Sequence, residues 1–149
     1  MLSINIICVG KLKENFFKDA VFEYSKRLSR YCKLDILELP DEKIPNNPSV
    51  KISEDIKEKE CNRIIEHIKK DSYIICLDLK GRQISSEDLS RKIDNISLDH
   101  SHITFIIGGS LGLTDKVLSV SNYILSFSKL TFPHQLIRIF LLEQLYRCF

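Results

Sequence analysis

Five short apolar runs, rich in Ile, Leu and Val, recur along the chain and predict buried β-strands. They are Ser3–Val9, Leu34–Leu39, Tyr73–Leu79, Ile103–Ile107 and Tyr123–Phe127. Between these runs, apolar residues fall three or four positions apart, which is typical of amphipathic helices. Strands that alternate with helices indicate an α/β domain, with a mostly parallel sheet and helices on both of its faces.

Residues that favour helix starts follow each strand. Helices are expected to begin at Asn15, after the caps Ser53, Ser85 and Thr114, and near Pro133. The segment Asp41–Val50 contains Pro45 and Pro48, so it predicts a loop. Since no linker divides the chain and its length is ordinary for one domain, residues 1–149 are expected to form a single domain.

The last predicted helix is apolar on nearly every face. Its apolar residues are Leu136, Ile137, Ile139, Phe140, Leu141, Leu142, Leu145 and Tyr146. A helix of this kind must be buried all round, and a small sheet cannot easily enclose a chain-terminal helix. The pattern therefore predicts a homodimer, in which a second copy covers the helix. The alternative is a helix tucked under the Asp41–Val50 loop.

Composition excludes several classes of protein. The 22 basic and 20 acidic side chains nearly cancel, so charge alone does not indicate nucleic-acid binding. The apolar runs are far shorter than the ~18 residues of a membrane span, so no membrane association is expected. The five cysteines form no CxxC pair and the histidines show no metal-ligand spacing, so no metal site is expected. With no visible signal peptide, a reducing cytoplasm fits best.

A glycine-rich turn, Gly108-Gly109-Ser110-Leu111-Gly112, follows the fourth strand and precedes a helix. Such a turn lets backbone N–H groups approach a ligand closely, although it could equally be a tight connection. The same residues match the GxSxG pattern of serine hydrolases, with Ser110, Asp115 and His134 as a possible triad. Asp115 is better explained as a first-turn helix residue, so the hydrolase is a remote alternative.

A second candidate segment, Phe127–His134, joins the last strand to the final helix. Its backbone could present donors and acceptors to a planar ligand such as adenine. His134 falls near a helix N-terminus, where the helix dipole disfavours the charged imidazole, so a neutral His could act as a base. The alternative is an ordinary N-cap at Thr131 or Phe132 with a surface histidine. The cationic stretch Lys11–Lys33 could follow a phosphate backbone or be a solvated helix face.

Several segments in order along the chain resemble one known family. They are Val9–Lys13, Glu23–Leu28, Leu39–Lys43, Ile107–Leu113, Leu125–Gln135 and Glu143–Arg147. Together they resemble the RlmH (YbeA) family of SPOUT-class methyltransferases, and the resemblance spans essentially the whole chain.

This resemblance implies an α/β fold whose C-terminal part threads a deep trefoil knot, and a homodimer formed through the knotted region. It also implies S-adenosylmethionine-dependent methylation of N3 of a pseudouridine in bacterial 23S ribosomal RNA, on the assembled ribosome. The cofactor positions carried over from the family are Leu77, Gly108, Phe127, Ser128, Lys129, Leu130, Thr131 and Phe132. Beside this loop, His134 is a candidate proton acceptor and Arg138 a candidate phosphate or anion clamp.

The resemblance departs from the family pattern at the end of the sequence. The family continues into a short tail with a Tyr-His-Lys-like motif, whereas this sequence stops at Phe149. Because that tail lies on the substrate side of the family's pocket, its absence affects expected turnover and RNA binding more than cofactor binding. The alternative function is therefore a catalytically silent ribosome-binding module.

Overall fold

Five parallel strands form one sheet. In the computed structural model, which describes residues 1–149, the strands are β1 (Ser3–Val9), β2 (Lys33–Leu39), β3 (Tyr73–Arg82), β4 (His102–Ile107) and β5 (Tyr123–Leu125). The helices are α1 (Asn15–Leu28), α2 (Val50–Glu66), α3 (Ser86–Asp99), α4 (Asp115–Val120) and α5 (His134–Cys148). The strand order is β2-β1-β4-β3-β5, and every neighbouring pair is parallel. The predicted α/β class is confirmed.

The central strands β1 and β4 are buried on both faces, which explains why their sequences are continuously apolar. Alternate residues point to opposite sides of the sheet. Ile4, Ile6 and Phe105 belong to the core beneath α1, α3 and α5, whereas Ile7 and Ile106 belong to the core beneath α2 and α4. Helices therefore cover both faces of the sheet, as the alternation of elements predicts.

Helix α5 packs between α1 and α3. Its Leu141, Leu142 and Leu145 are fully buried there, so the alternative position under the Asp41–Val50 loop is wrong. The rest of the helix is less covered, since Leu136, Ile137 and Ile139 are half-buried and Phe140 is exposed. Its apolar character thus has two causes: an inner face within the core, and an outer face that the single chain leaves partly open.

Two of the predicted helix caps are confirmed. The hydroxyls of Ser85 and Thr114 accept hydrogen bonds from the N–H groups of Asp88 and Val117. The predicted cap at Ser53 is wrong, because Ser49 caps α2 and accepts from the N–H of Ile52 at 3.2 Å. Ser49 can cap α2 because it follows Pro48 in an extended backbone conformation, which suits an N-cap residue.

The final helix begins at His134, and Pro133 occupies the N-cap position in an extended conformation. The alternative caps Thr131 and Phe132 are therefore wrong. Proline fits here because its ring fixes φ and because a helix start needs no N–H from this residue. The strand β5 is also shorter than predicted, ending at Leu125, so the residues that follow it are free to form a loop.

The end of β3 lies very close to β5 at Gly81. After a register irregularity, Arg82 pairs with Leu125, and the carbonyl of Arg82 accepts the N–H of Ser126 at 2.9 Å. A Cβ atom on Gly81 would lie 2.6 Å from the carbonyl oxygen of Ile124. Only glycine allows the two backbones to approach this closely, so this residue permits the pairing of Arg82 with Leu125.

Candidate active site

The main cavity lies at the carboxyl ends of β3, β4 and β5 and has a volume of about 730 Å³. Ligands of open α/β sheets bind at this edge, where loops after the strands converge. Three segments line most of the cavity: the end of β3, the glycine-rich turn after β4, and the loop between β5 and α5. Lys57 of α2 also lines it.

The glycine-rich turn is fixed by its own backbone. The N–H of Gly112 donates to the carbonyl of Gly109 at 3.0 Å, and Gly112 has a φ of +85°. A Cβ atom on Gly108 would lie 2.9 Å from Cδ2 of Leu113 and 3.0 Å from the backbone of Gly112. The glycines are therefore needed for a tight turn that brings backbone, rather than side chains, to the cavity wall.

Local hydrogen bonds also shape the loop between β5 and α5. The hydroxyl of the buried Ser126 donates to the carbonyl of Ser128 at 3.0 Å. The N–H of Leu130 donates to the hydroxyl of Ser128, also at 3.0 Å. At the far end, the ring of Phe132 packs edge-on against Phe140 of α5, with 5.4 Å between centroids. These contacts give the loop a defined shape.

The structure gathers almost all the residues expected to bind the cofactor around this one cavity. The lining includes Leu77, Gly108, Phe127, Ser128, Leu130, Thr131 and Phe132. Lys129 is the exception, because its side chain is exposed and does not line the cavity. Residues that are distant in sequence, near the ends of β3, β4 and β5, therefore form one wall of the cavity.

His134, the first residue of α5, also lines the cavity and is half-buried. Its Nδ1 is enclosed without a hydrogen-bond partner, whereas its Nε2 is neither bonded nor fully enclosed. Burial lowers the pKa of His134, the Arg138 cation lowers it further, and Asp41 partly opposes both. The imidazole is therefore neutral at neutral pH and can accept a proton.

Arg138 lies behind the cavity wall, with its side chain only 3% exposed. Its Nη1 donates to Oε2 of Glu38 at 2.8 Å, and its Nη2 donates to the carbonyls of Val9 and Gly10 at 3.1 and 2.7 Å. A clamp on an incoming phosphate would need donors that face the cavity, and these donors face the protein. The geometry gives Arg138 a position behind the site instead of in it.

The residues of the hydrolase alternative do not form a triad. Ser110 lines the cavity, but its hydroxyl makes no hydrogen bond to His134. Asp115 is the first residue of α4 and is not bonded to His134 either. No three His, Cys, Asp or Glu side chains are grouped so as to hold a metal ion. None of the helices is long and apolar enough to cross a lipid bilayer.

Glu38 is a functional candidate that sequence reasoning missed. It lies near the end of the edge strand β2, on the same face as Leu34 and Ile36, whereas Lys33 and Asp35 lie on the opposite, solvent-facing side. Only the fold brings it to Arg138, which is 100 residues away in sequence. Its place at the end of LDILEL, where ligand-binding loops begin, was the one available signal.

A parallel α/β sheet with a glycine-rich turn and a structured loop around one cavity at its strand ends defines a small-molecule-binding protein of the α/β class. Residues 2–149 match the family described as "Predicted SPOUT methyltransferase". The chain belongs to the SPOUT methyltransferase family.

Two curated relatives from Clostridium botulinum are named ribosomal RNA large subunit methyltransferase H. The protein of strain 657 (type Ba4) is 60% identical over 149 residues, which cover 99% of this chain and 94% of the relative. That of strain Eklund 17B (type B) is 58% identical with the same coverage.

A solved structure, that of a probable methylase family protein from Haemophilus influenzae Rd KW20, has a similar fold. Its TM-score is 0.56 at 14% identity, over 100% of this chain and 67% of that one. At this identity the similarity concerns the fold alone.

Proposed function

We propose that this enzyme transfers a methyl group from S-adenosylmethionine to N3 of a pseudouridine in 23S ribosomal RNA, on the assembled ribosome. One observation carries the proposal: the expected cofactor residues, Lys129 apart, line a single cavity of about 730 Å³ at the strand ends. The names of relatives that are 60% identical support a large-subunit ribosomal RNA substrate. The pseudouridine and its N3 atom come from the resemblance to the RlmH family.

The cavity fits S-adenosylmethionine in size and chemistry. Its volume lies in the range of small-molecule sites, and its lining mixes apolar side chains with backbone polar groups and hydroxyls. Phe127, Leu130 and Phe132 would pack on the adenine, while the Gly108 backbone, which a Cβ would obstruct, would approach the methionine part. When bound, this cofactor supplies an electrophilic methyl group on a sulfonium sulfur.

His134 is proposed as the proton acceptor. N3 of pseudouridine carries a proton that must leave as the new N–C bond forms, so a neutral base beside the cofactor accelerates the reaction. Nε2 is the imidazole nitrogen of His134 that is neither hydrogen-bonded nor fully enclosed, and the lowered pKa of the imidazole keeps this atom unprotonated at neutral pH. Much of the remaining acceleration would come from cavity residues that align the substrate with the methyl group.

The homodimer and the trefoil knot belong to the same proposal. The outer face of α5, with the exposed Phe140, would be covered by a second copy. The trefoil knot is proposed from the resemblance to the RlmH family. Free cysteines fit a cytoplasmic protein, since a reducing compartment keeps them unpaired.

The proposal is tested by incubating the chain with radiolabelled S-adenosylmethionine and 70S ribosomes that lack the modification. The expected product is 3-methylpseudouridine in 23S RNA, identified by nucleoside mass spectrometry, with a His134→Ala variant greatly slowed. Calorimetry with S-adenosylhomocysteine establishes cofactor binding separately. Co-sedimentation with ribosomes without transfer would favour a silent binding module and overturn the enzymatic proposal.

A further inference from the structure

The guanidinium of Arg138 connects α5 to two other elements at the back of the cavity. It bonds the carbonyls of Val9 and Gly10, at the end of β1, and the carboxylate of Glu38 in β2. The same Oε2 atom of Glu38 also accepts the N–H of Leu12 at 2.9 Å. One carboxylate oxygen therefore holds both the final helix and the loop that follows β1.

This network reaches the imidazole of His134. Arg138 lies one helical turn after His134, so both side chains lie on the same side of α5. Gly10, whose carbonyl accepts a hydrogen bond from Arg138, has a φ of +91° and lies beside the histidine ring. A Cβ atom on Gly10 would lie 3.6 Å from Cε1 of His134 and 3.8 Å from Cγ of Asp41. The backbone that Arg138 fixes thus lies beside the imidazole of His134.

Burying an arginine is unfavourable unless its donors are satisfied, and apolar residues of similar volume often stabilise a fold at least as well. Three charge-assisted bonds engage Nη1 and Nη2 of this guanidinium, whereas its Nε is enclosed without a partner. Such a group contributes more to a defined geometry than to net stability, because its bonds have strict directions. The geometry it defines lies beside the cavity.

We propose that Arg138 is a positioning residue for the methyl transfer reaction, which with Glu38 sets the location of His134 against the Gly10–Leu12 loop. This inference rests on the proposed function, since it gives His134 the role of proton acceptor. The charged groups that face His134 are Arg138 on its own helix and Asp41 after β2. Arg138 also faces Glu38.

The test compares Arg138→Met, Arg138→Lys, Glu38→Gln and Glu38→Ala, with Arg147→Met as the matched control. Arg147 is an exposed arginine on the same helix, paired with Glu143. For each variant, the affinity for S-adenosylhomocysteine, the kcat and KM for ribosomes, the pH profile and the thermal midpoint are measured. NMR of labelled histidine follows the protonation of His134.

The expected pattern separates positioning from stability. In Arg138→Met, kcat falls by about 100-fold, the loss expected from a small misplacement of a reacting group, while cofactor affinity changes by less than about threefold. Removing the cation raises the pKa of His134, so the acid limb of the pH profile moves to higher pH. Lysine does not restore activity because it lacks the planar fork. Glu38→Gln, which keeps an acceptor for Leu12, retains more activity than Glu38→Ala.

The outcomes distinguish this inference from the proposed function. A wild-type chain that neither binds S-adenosylhomocysteine nor transfers methyl groups would overturn the proposed function. An active wild type with Arg138→Met and Glu38→Ala variants that lose only thermal stability, with normal kcat and pH profile, would overturn the positioning role alone. If Arg138→Met does not fold, the Glu38 pair decides, since Glu38 is partly exposed and its variants should fold.

Discussion

The carboxylate of Glu60 accepts a hydrogen bond from the backbone N–H of Glu42 at 2.9 Å, although Glu60 is only 4% exposed. Its other oxygen lies against the glycine-rich turn, 3.1 Å from where a Cβ on Gly109 would be. Glu60 thus joins α2 to the loop after β2 and to the cavity wall. Burial raises the pKa of Glu60, the Glu42 hydrogen bond lowers it, and the carboxylates of Asp41 and Glu42 raise it again.

We expect Glu60→Gln to gain stability relative to wild type as the pH rises. An acid whose pKa is raised by folding contributes stability that is present below its unfolded pKa of about 4.5 and is lost as the pH rises through the folded pKa. Glutamine keeps an acceptor for Glu42 and carries no charge. Urea unfolding at pH 4 and pH 7 measures the difference. Glu58→Gln, an exposed site on the same helix, should show no such change, and an equal response of both variants would contradict this explanation.

The Asp41→Asn variant should keep its methyl transfer activity down to lower pH than wild type. Asp41 raises the pKa of His134 against the lowering by burial and Arg138, so removing its charge lowers that pKa further. Because the neutral imidazole is the proposed acceptor, the acid limb of kcat/KM shifts downwards with it. Asp19→Asn, an exposed site on α1, is the control and should leave the profile in place. An unmoved limb in Asp41→Asn would exclude His134 as the titrating group.

Most of the fold was predictable because the strands show simple hydrophobic patterns. A strand buried on both faces is continuously apolar, and a strand buried on one face alternates apolar and polar residues. Continuous apolar runs identified β1 and β4, and serine or threonine caps located α3 and α4. The Ser53 cap was wrong because two hydroxyl residues, Ser49 and Ser53, lie one turn apart and either can start the helix. N-cap propensity alone does not decide which of these two serines caps α2, whereas the direction of the preceding loop does.

The site was less predictable from the residues themselves. Its lining is mostly backbone and plain side chains such as Leu77 and Thr131, which carry no distinctive chemical pattern, so only the family resemblance indicated them. The place of Arg138 could not be inferred, because its partners Val9, Gly10 and Glu38 lie more than 90 residues away and meet it only after the sheet forms. Because Arg138 lies close in sequence to the loop between β5 and α5, it was expected to contact the substrate. The geometry of α5 instead points its side chain into the protein.

Replacing Gly108 with alanine should weaken cofactor binding strongly. The added Cβ would lie 2.9 Å from Cδ2 of Leu113 and 3.0 Å from the Gly112 backbone, so the turn that forms the cavity wall must shift. We expect the dissociation constant for S-adenosylhomocysteine to rise by about tenfold or more, which corresponds to about 1.4 kcal/mol. The comparison is Gly112→Ala, whose Cβ has free space but whose φ of +85° is strained. Gly112→Ala should lose about 1–2 kcal/mol of stability and should affect S-adenosylhomocysteine binding less than Gly108→Ala does. Weaker binding by Gly112→Ala than by Gly108→Ala would refute the steric explanation.

Replacing Gly81 with alanine should destabilise the whole fold more than it affects the cavity. Its Cβ would lie 2.6 Å from the carbonyl oxygen of Ile124 and 2.7 Å from the backbone of Leu125, and neither strand can yield without losing the pairing of Arg82 with Leu125. Overpacking of this kind costs about 1–3 kcal/mol. Chemical unfolding measures the loss, with the exposed neighbour Lys80→Ala as control. A Gly81→Ala variant as stable as its control would show that the two strands are not tightly packed at this position.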